Sequence, residues 1–283
     1  MSPLLGVAII HHRVPDLLES CLERLERYYP RYPVVVVDTA PDSTFLARLQ
    51  DRYREIDILR VANHSYAAAV NAGLRHLDTP LIAQMNADVF VEAETFAHLK
   101  RPFGDPSVAM TGPLFVTGQG RRQHHGPLYR LNYLRLQPNG QLPVSWLSGA
   151  LQLVRRSAVG SVGGMDSSLR FYNDDIEWCF RLRQAGFRCL LVSTEVTHLG
   201  GSSTPNSARF LVEGYRGGMR ISQRYRPPWF RWLHQLAVRG EAQLRATIAV
   251  RGETRSTYRT ISTMFRTRRF DQSPFGSTLD RGN

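Results

Sequence analysis

The chain has 283 residues, 42% of them hydrophobic, enough for one large α/β domain with an appendage or for two small domains. Its formal net charge of +12 is unevenly placed: from Arg216 onward fourteen arginines face four acids, which leaves only +2 for the first 215 residues. No apolar run reaches the roughly 18 residues a spanning helix needs, which argues against a transmembrane segment.

In chain order, Leu4–Ile10 (LLGVAII) is short, follows no basic residue and reads as a first buried strand rather than a signal peptide. Pro15–Tyr29 reads as a helix with Leu18, Cys21, Leu22, Leu25 and Tyr29 on one face. The four-valine run Val34–Val37 suits a parallel strand buried on both sides. A helix over Ser43–Tyr53, a strand over Ile56–Val61, an alanine-rich helix over Tyr66–His76 and a strand over Leu81–Met85 follow. Glu92–Lys100 looks helical and Val108–Gly112 extended. Thr117–Asn139, polar, basic and glycine-containing, reads as a mobile loop. Leu151–Val154 returns as a strand, Asp174–Gly186 as a helix ended by Gly186, and Phe187–Val192 as the last strand. From about Asn206 the strand–helix rhythm stops and arginine and aromatic residues dominate.

Cys21, Cys179 and Cys189 are widely spaced without a CxxC pair, so they read as buried free thiols, at home in a reducing cytoplasm. Alternating strands and helices imply a sheet with helices on its faces, and ligands of such sheets sit beyond the carboxyl ends of the strands. Asp38 follows the valine strand and Asp88 follows LIAQM, so both carboxylates should face one crevice.

Several motifs stand in a consistent order: VVVVDTAPDST, NHSYAAAVNAGL, Asn86-Ala87-Asp88, Trp146 with Ser148-Gly149-Ala150, Gly163-Gly164-Met165-Asp166, Asp174-Asp175-Ile176-Glu177, and His198 in HLGGSS. Together they resemble glycosyltransferase family 2 over about Val7–Ser203, with second-half spacing most like its rhamnosyltransferase-like branch. The resemblance implies a GT-A fold: an α/β, Rossmann-like mixed sheet with helices on both faces. It implies a catalytic domain over 1–205, with a nucleotide-binding half to about 112 and an acceptor half from about 113. A basic, helical C-terminal extension over 206–283 follows.

The implied activity is metal-dependent, inverting transfer of a sugar from a nucleotide-diphosphate donor to a hydroxyl of a glycan or lipid-linked acceptor, in bacterial cell-surface polysaccharide synthesis. By position in the motifs, Asp38 would accept a hydrogen bond from the donor's base. Asn63, Tyr66, Asn71 and Asn86 would line the donor site, with amides of the helix after Asn63 aimed at its oxygens. Asp88 and His198 would hold a divalent ion, Mg2+ or Mn2+, on the diphosphate. Asp175 would be the catalytic base, with Trp146, Ser148, Gly149, Asp166 and Asp174 on the acceptor side. Asp174 and Glu177 also suit a helix N-terminus electrostatically, and Arg181 suits an ion pair. The chain departs from the family pattern at Thr39, Pro41, Ser65, Ala69 and Met165.

The Arg- and aromatic-rich extension is a candidate for peripheral contact with an anionic membrane, at the inner face of the cell membrane of a cytoplasmic protein. Packing on the catalytic domain or on a second subunit in a homodimer is the other use it offers. Nucleic acid is the poorer partner, because no sequence-reading motif is present. Two rival functions are a sugar-nucleotide pyrophosphorylase, which residues 9–14 (IIHHRV) do not favour, and a non-catalytic glycan- or membrane-binding module on a decayed transferase fold.

Overall fold

The structure is a computed structural model that describes residues 4–40, 43–123, 127–200 and 208–276. The chain divides into two compact units. The first comprises residues 1–63, 68–166 and 175–204, and the second residues 64–67, 167–174 and 205–283.

The first unit is built on one mixed sheet. In chain order it runs β1 (Leu5–His11), α1 (Pro15–Tyr28), β2 (Val34–Asp38), α2 (Ser43–Arg52), β3 (Ile56–Arg60), α3 (Tyr66–His76), β4 (Leu81–Asn86), β5 (Val89–Phe90) and α4 (Thr95–Lys100). After a 3-10 turn come β6 (Val108–Val116), α5 (Pro127–Arg135), β7 (Gln141–Pro143), β8 (Leu151–Arg155), α6 (Arg156–Val162), α7 (Asp174–Gln184) and β9 (Arg188–His198). The strand order is β3-β2-β1-β4-β8-β6-β9-β5, with β7 paired to β9. Strands β1 to β4 are parallel to their neighbours among themselves, and β8 enters antiparallel between β4 and β6.

The apolar runs explain the core. Every residue of β1 and β2 is buried, as a strand covered on both faces requires. Helix α1 presents Leu18, Cys21, Leu22 and Leu25 to that core, all at most 2% exposed, each contributing about 1.5–3 kcal/mol if a full side chain leaves water. All three cysteines are free and buried, and burial pushes the Cys21 thiol up to about 12, which keeps it protonated.

The structure departs from the sequence expectations in several places. The expected mobile loop over Thr117–Asn139 contains α5, because Tyr129 and Tyr133 fall four apart on one buried face, their rings 5.7 Å apart. The helix expected from Glu92 begins only at Thr95. Helix α6 and strand β7 carry too few apolar residues to show a period. Strand β9 runs to His198 instead of stopping at Val192, because β6 also extends to Val116 and pairs with it as far as Thr197.

The second unit is helical: α8 (Ala208–Tyr225), α9 (Pro228–Ile248) and α10 (Gly252–Thr267) enclose a core of Val212, Met219, Val238, Ala242, Ala246, Tyr258, Ile261, Phe265 and Phe270. A buried ion pair organises it. Arg216 donates to Glu213 at 2.8 and 2.5 Å, to the Phe270 carbonyl at 2.9 Å and to the Ser168 carbonyl at 3.1 Å. Glu213 also accepts from Arg170 N–H and from the Ser273 hydroxyl. These hydrogen bonds offset part of the desolvation cost that an isolated buried charge would carry in full. No helix among the described residues is long and apolar enough to cross a membrane.

Candidate active site

Register places the candidate residues along the carboxyl ends of the central strands. His11 at the end of β1 lies opposite Asp38 at the end of β2. On the other side of β1, Ile10 lies opposite Asn86, the last residue of β4. The Asn86 N–H donates to Ala150, just ahead of the antiparallel β8, and the neighbouring Gly149 N–H donates to Asp175 Oδ2 at 2.9 Å. A row of neighbours thus runs from Asp38 through His11 and Asn86 to Asp175. That is where open α/β sheets bind ligands.

Asp38 is buried at 1% exposure. Its Oδ1 accepts from His11 Nδ1 at 2.6 Å and from the Ala40 N–H at 3.3 Å. His11 Nε2 accepts from the Val14 N–H at 3.2 Å, so the proton sits on Nδ1 and a neutral imidazole suffices. Among the described residues, no group donates to the buried Asp38 Oδ2. A buried carboxylate oxygen left without a donor is costly, which makes it a place for a donor group supplied from outside the chain.

Asp88 follows β4, and His198 ends β9, where it pairs with Val89. Asp88 Oδ2 accepts from the Gly200 N–H at 3.2 Å, while Oδ1 lies 3.5 Å from His198 Nε2. His198 Nδ1 meets Gln123 Oε1 at 2.9 Å, and Gln123 Nε2 donates to the His198 carbonyl. That pairing makes Nδ1 the donor, so in the neutral imidazole the lone pair is on Nε2, towards the carboxylate. Two electron-rich atoms side by side, too far apart for a good hydrogen bond, suit a shared cation. Among the described residues no group of three or more His, Cys, Asp or Glu gathers into a cage of its own. The pair nevertheless fits a divalent ion that takes its remaining ligands from phosphate and water, as Mg2+ commonly does.

Asp175 opens α7. Its Oδ1 accepts from the Ile176 N–H at 2.8 Å, and with Gly149 on Oδ2 the carboxylate plane is fixed. Burial pushes its pKa above the ordinary carboxylate value, and the backbone N–H groups of Gly149 and Ile176 oppose that shift. Gly149 is itself anchored by two buried glutamines missed in the sequence reading. Gln84 and Gln152 face each other across β4 and β8; Gln84 donates to the Gly149 carbonyl at 2.8 Å and to Gln152 at 3.1 Å, and Gln152 donates to the Leu147 carbonyl at 2.8 Å. A glutamine inside each of two apolar strands was the available signal. His11, partner of Asp38, and Gln123, partner of His198, were missed as well, because such pairings are not local in sequence.

The other predicted residues are placed as follows. Asn71 clasps the backbone of Met165, donating to its carbonyl and accepting from its N–H, both at 2.8 Å, so its amide holds the Gly163–Asp166 turn. The Arg181 Nε–H is shared between both oxygens of the buried Glu177 carboxylate, and Arg181 also holds the Val162 and Gly164 carbonyls, so both brace the same turn. Trp146 is half-buried with its ring 4.6 Å from Tyr129, and the Ser148 hydroxyl accepts from the Ala150 N–H. Asn63 is buried ahead of α3, and Asp166 closes its turn partly buried. Tyr66 and Asp174 belong to the second unit, where the Tyr66 N–H donates to the Arg170 carbonyl. Of the quoted motifs, Pro41, Asp42 and Gly201–Ser203 lie outside the described residues.

A mixed α/β sheet with acidic groups along its carboxyl ends fits a GT-A fold, and solved glycosyltransferases superpose on it. GalNAc-T7 with UDP, GalNAc and Mn2+ superposes at a TM-score of 0.64 over 95% of this chain and 58% of that one, at 15% identity. The mannosyltransferase PcManGT from Pyrobaculum calidifontis, in complex with GDP-Man and Mn2+, superposes at 0.56 over 95% of this chain and 86% of that one, at 18% identity. The pattern of glycosyl transferase family 2 matches residues 7–163, and the chain belongs to that family. Over 127 residues it is 35% identical to the N-acetylglucosaminyl-diphospho-decaprenol L-rhamnosyltransferase of Mycobacterium tuberculosis, covering 44% of this chain. The matched stretch spans less than half of that relative's length, 41%.

Proposed function

We propose that this chain is a metal-dependent, inverting glycosyltransferase that moves a sugar, with rhamnose the leading candidate, from a nucleotide-diphosphate donor to a glycan hydroxyl. The observation that carries this reading is the row of Asp38, the Asp88–His198 pair and Asp175 along the carboxyl ends of one sheet. The name of the mycobacterial relative supports a lipid-linked acceptor; bacterial surface-glycan assembly on the cytoplasmic side of the membrane is the process proposed with it.

The parts divide the work as follows. Asp38 Oδ2 takes an N–H of the donor's base, with His11 holding the carboxylate in place. Asp88 and His198 would hold a divalent ion, Mg2+ or Mn2+, which would supply positive charge to the leaving diphosphate. Trp146 and the Ser148–Gly149 segment flank the acceptor. Asp175 accepts the proton of the acceptor hydroxyl as its oxygen bonds to the anomeric carbon and the bond to the diphosphate oxygen breaks on the opposite face. One displacement on a single carbon inverts it. Burial makes Asp175 a stronger base than an exposed aspartate, which suits proton removal late in the displacement.

The test is a thermal-shift panel of UDP, dTDP, GDP and CMP, with and without Mn2+, on wild type and Asp88→Asn. Metal-dependent stabilisation by one nucleotide, lost in the variant, is expected. No stabilisation by any of them would overturn the donor-site reading.

A further inference from the structure

Helix α9 has two apolar faces where its own fold uses one. Val238, Ala242 and Ala246 are buried in the helical core. On the other side stand Trp229 (64% exposed), Trp232 (58%), Leu233 and Leu236 at spacings of three and four and, two turns on past Gly240, Leu244 (61%) and Ile248 (68%), continued by Val250 (95%) beyond the helix end. Two exposed tryptophans at one end of an otherwise leucine and isoleucine stripe are more than the scattered apolar residues of an ordinary surface. Tryptophan on an exposed amphipathic face suits the headgroup level of a bilayer, where its ring is half in apolar and half in wet surroundings.

The charge around the stripe selects the occupant. Arg226 precedes the helix, Arg231, Arg239 and Arg245 lie along it, and Arg251 follows. The only acid on α9, Glu241, is engaged by Arg245 at 2.8 Å and by the Tyr215 hydroxyl at 3.2 Å. A second copy packed antiparallel on this face would set Arg226 and Arg231 of one helix near Arg245 and Arg251 of the other, like charge against like. An anionic lipid surface offers the complementary charge and a place for the apolar stripe together.

We infer that the outward face of α9 is a membrane-interface surface, on which the helix lies in the plane of an anionic bilayer with Trp229 and Trp232 at headgroup depth. It rests on the transferase reading only for its purpose, which is to hold the protein where a lipid-linked acceptor resides. Vesicle binding is read without donor or turnover, so the two ideas fail separately.

The experiment is co-sedimentation of the full chain with vesicles of phosphatidylcholine alone, and of phosphatidylcholine with about one-third phosphatidylglycerol. Wild type should bind the anionic vesicles, much less the neutral ones, and should be released at about 0.5 M salt. Trp229→Ser/Trp232→Ser, on solvent-exposed positions, should bind about tenfold more weakly or worse, with unchanged melting temperature and elution volume. Leu244→Gln/Ile248→Gln should weaken binding in the same direction without removing an aromatic ring. No binding to anionic vesicles, or binding indifferent to both variants, overturns the inference. So does a concentration-dependent dimer by light scattering that the same variants abolish, which would give the face to a second copy.

Discussion

Replacing Gly164 with alanine tests the turn that carries Asp166. A Cβ on Gly164 would lie 2.1 Å from Asn71 Oδ1 and 2.9 Å from its Cγ, so the Asn71 amide must leave. Gly164 lies outside the left-handed region of φ, so the cost comes from that collision and not from the backbone. Leaving breaks two hydrogen bonds to Met165, both 2.8 Å long, and strands the Met165 N–H and carbonyl in a partly buried place. At about 1 kcal/mol for each bond, and somewhat more where a partner stays dry, the variant should lose about 2–4 kcal/mol. Asn71→Ala breaks the same two bonds and should lose about 2–3 kcal/mol. In Asn71→Ala/Gly164→Ala the clash is gone, so the double variant should resemble Asn71→Ala alone, a non-additivity of about 2–4 kcal/mol, the whole Gly164→Ala loss. Urea unfolding followed by tryptophan fluorescence is the assay, because the Trp178 indole donates to the Gly163 carbonyl at 2.9 Å and reports on this turn. Trp229 and Trp232 would be changed to phenylalanine throughout to silence the other unit. A Gly164→Ala stability within about 0.5 kcal/mol of wild type, or additive losses in the double variant, would refute the reasoning.

Three further outcomes are expected. His11→Ala should destabilise the chain by about 2–3 kcal/mol in urea titrations, because a buried carboxylate loses a charge-assisted bond; a negligible change would mean that water replaces the imidazole. Burial raises the Asp175 pKa, and the base works only ionised, so kcat/KM should fall as the pH drops through a value above the ordinary ~3.9. A profile flat down to about pH 4 would remove Asp175 from that role, and Asp175→Asn should cut turnover by about a thousandfold or more with circular dichroism unchanged. Calorimetric titration of Mn2+ with the stabilising nucleotide should weaken about tenfold or more in His198→Ala, and less in Gln123→Ala, which disturbs only the orientation of the ring. Equal losses in the two variants would contradict that ranking.

The sequence by itself determined the strand–helix alternation of the first unit, because fully buried strands such as Val34–Val37 and one-sided helices such as α1 carry their periods locally. It also placed the carboxylates of Asp38 and Asp88 just after buried strands, since position along a strand is a matter of counting. What only the tertiary structure decided was partnership. His11 meets Asp38 across 27 residues, Gln123 meets His198 across 75, and Asn71 meets Met165 across 94, distances at which no local pattern operates. Asn71 shows the consequence: its motif points to a donor contact, while its amide is taken up by the backbone of a turn that folds back upon it. The same holds for α9, whose two apolar faces look alike in sequence until α8 and α10 cover one of them and leave the other to water.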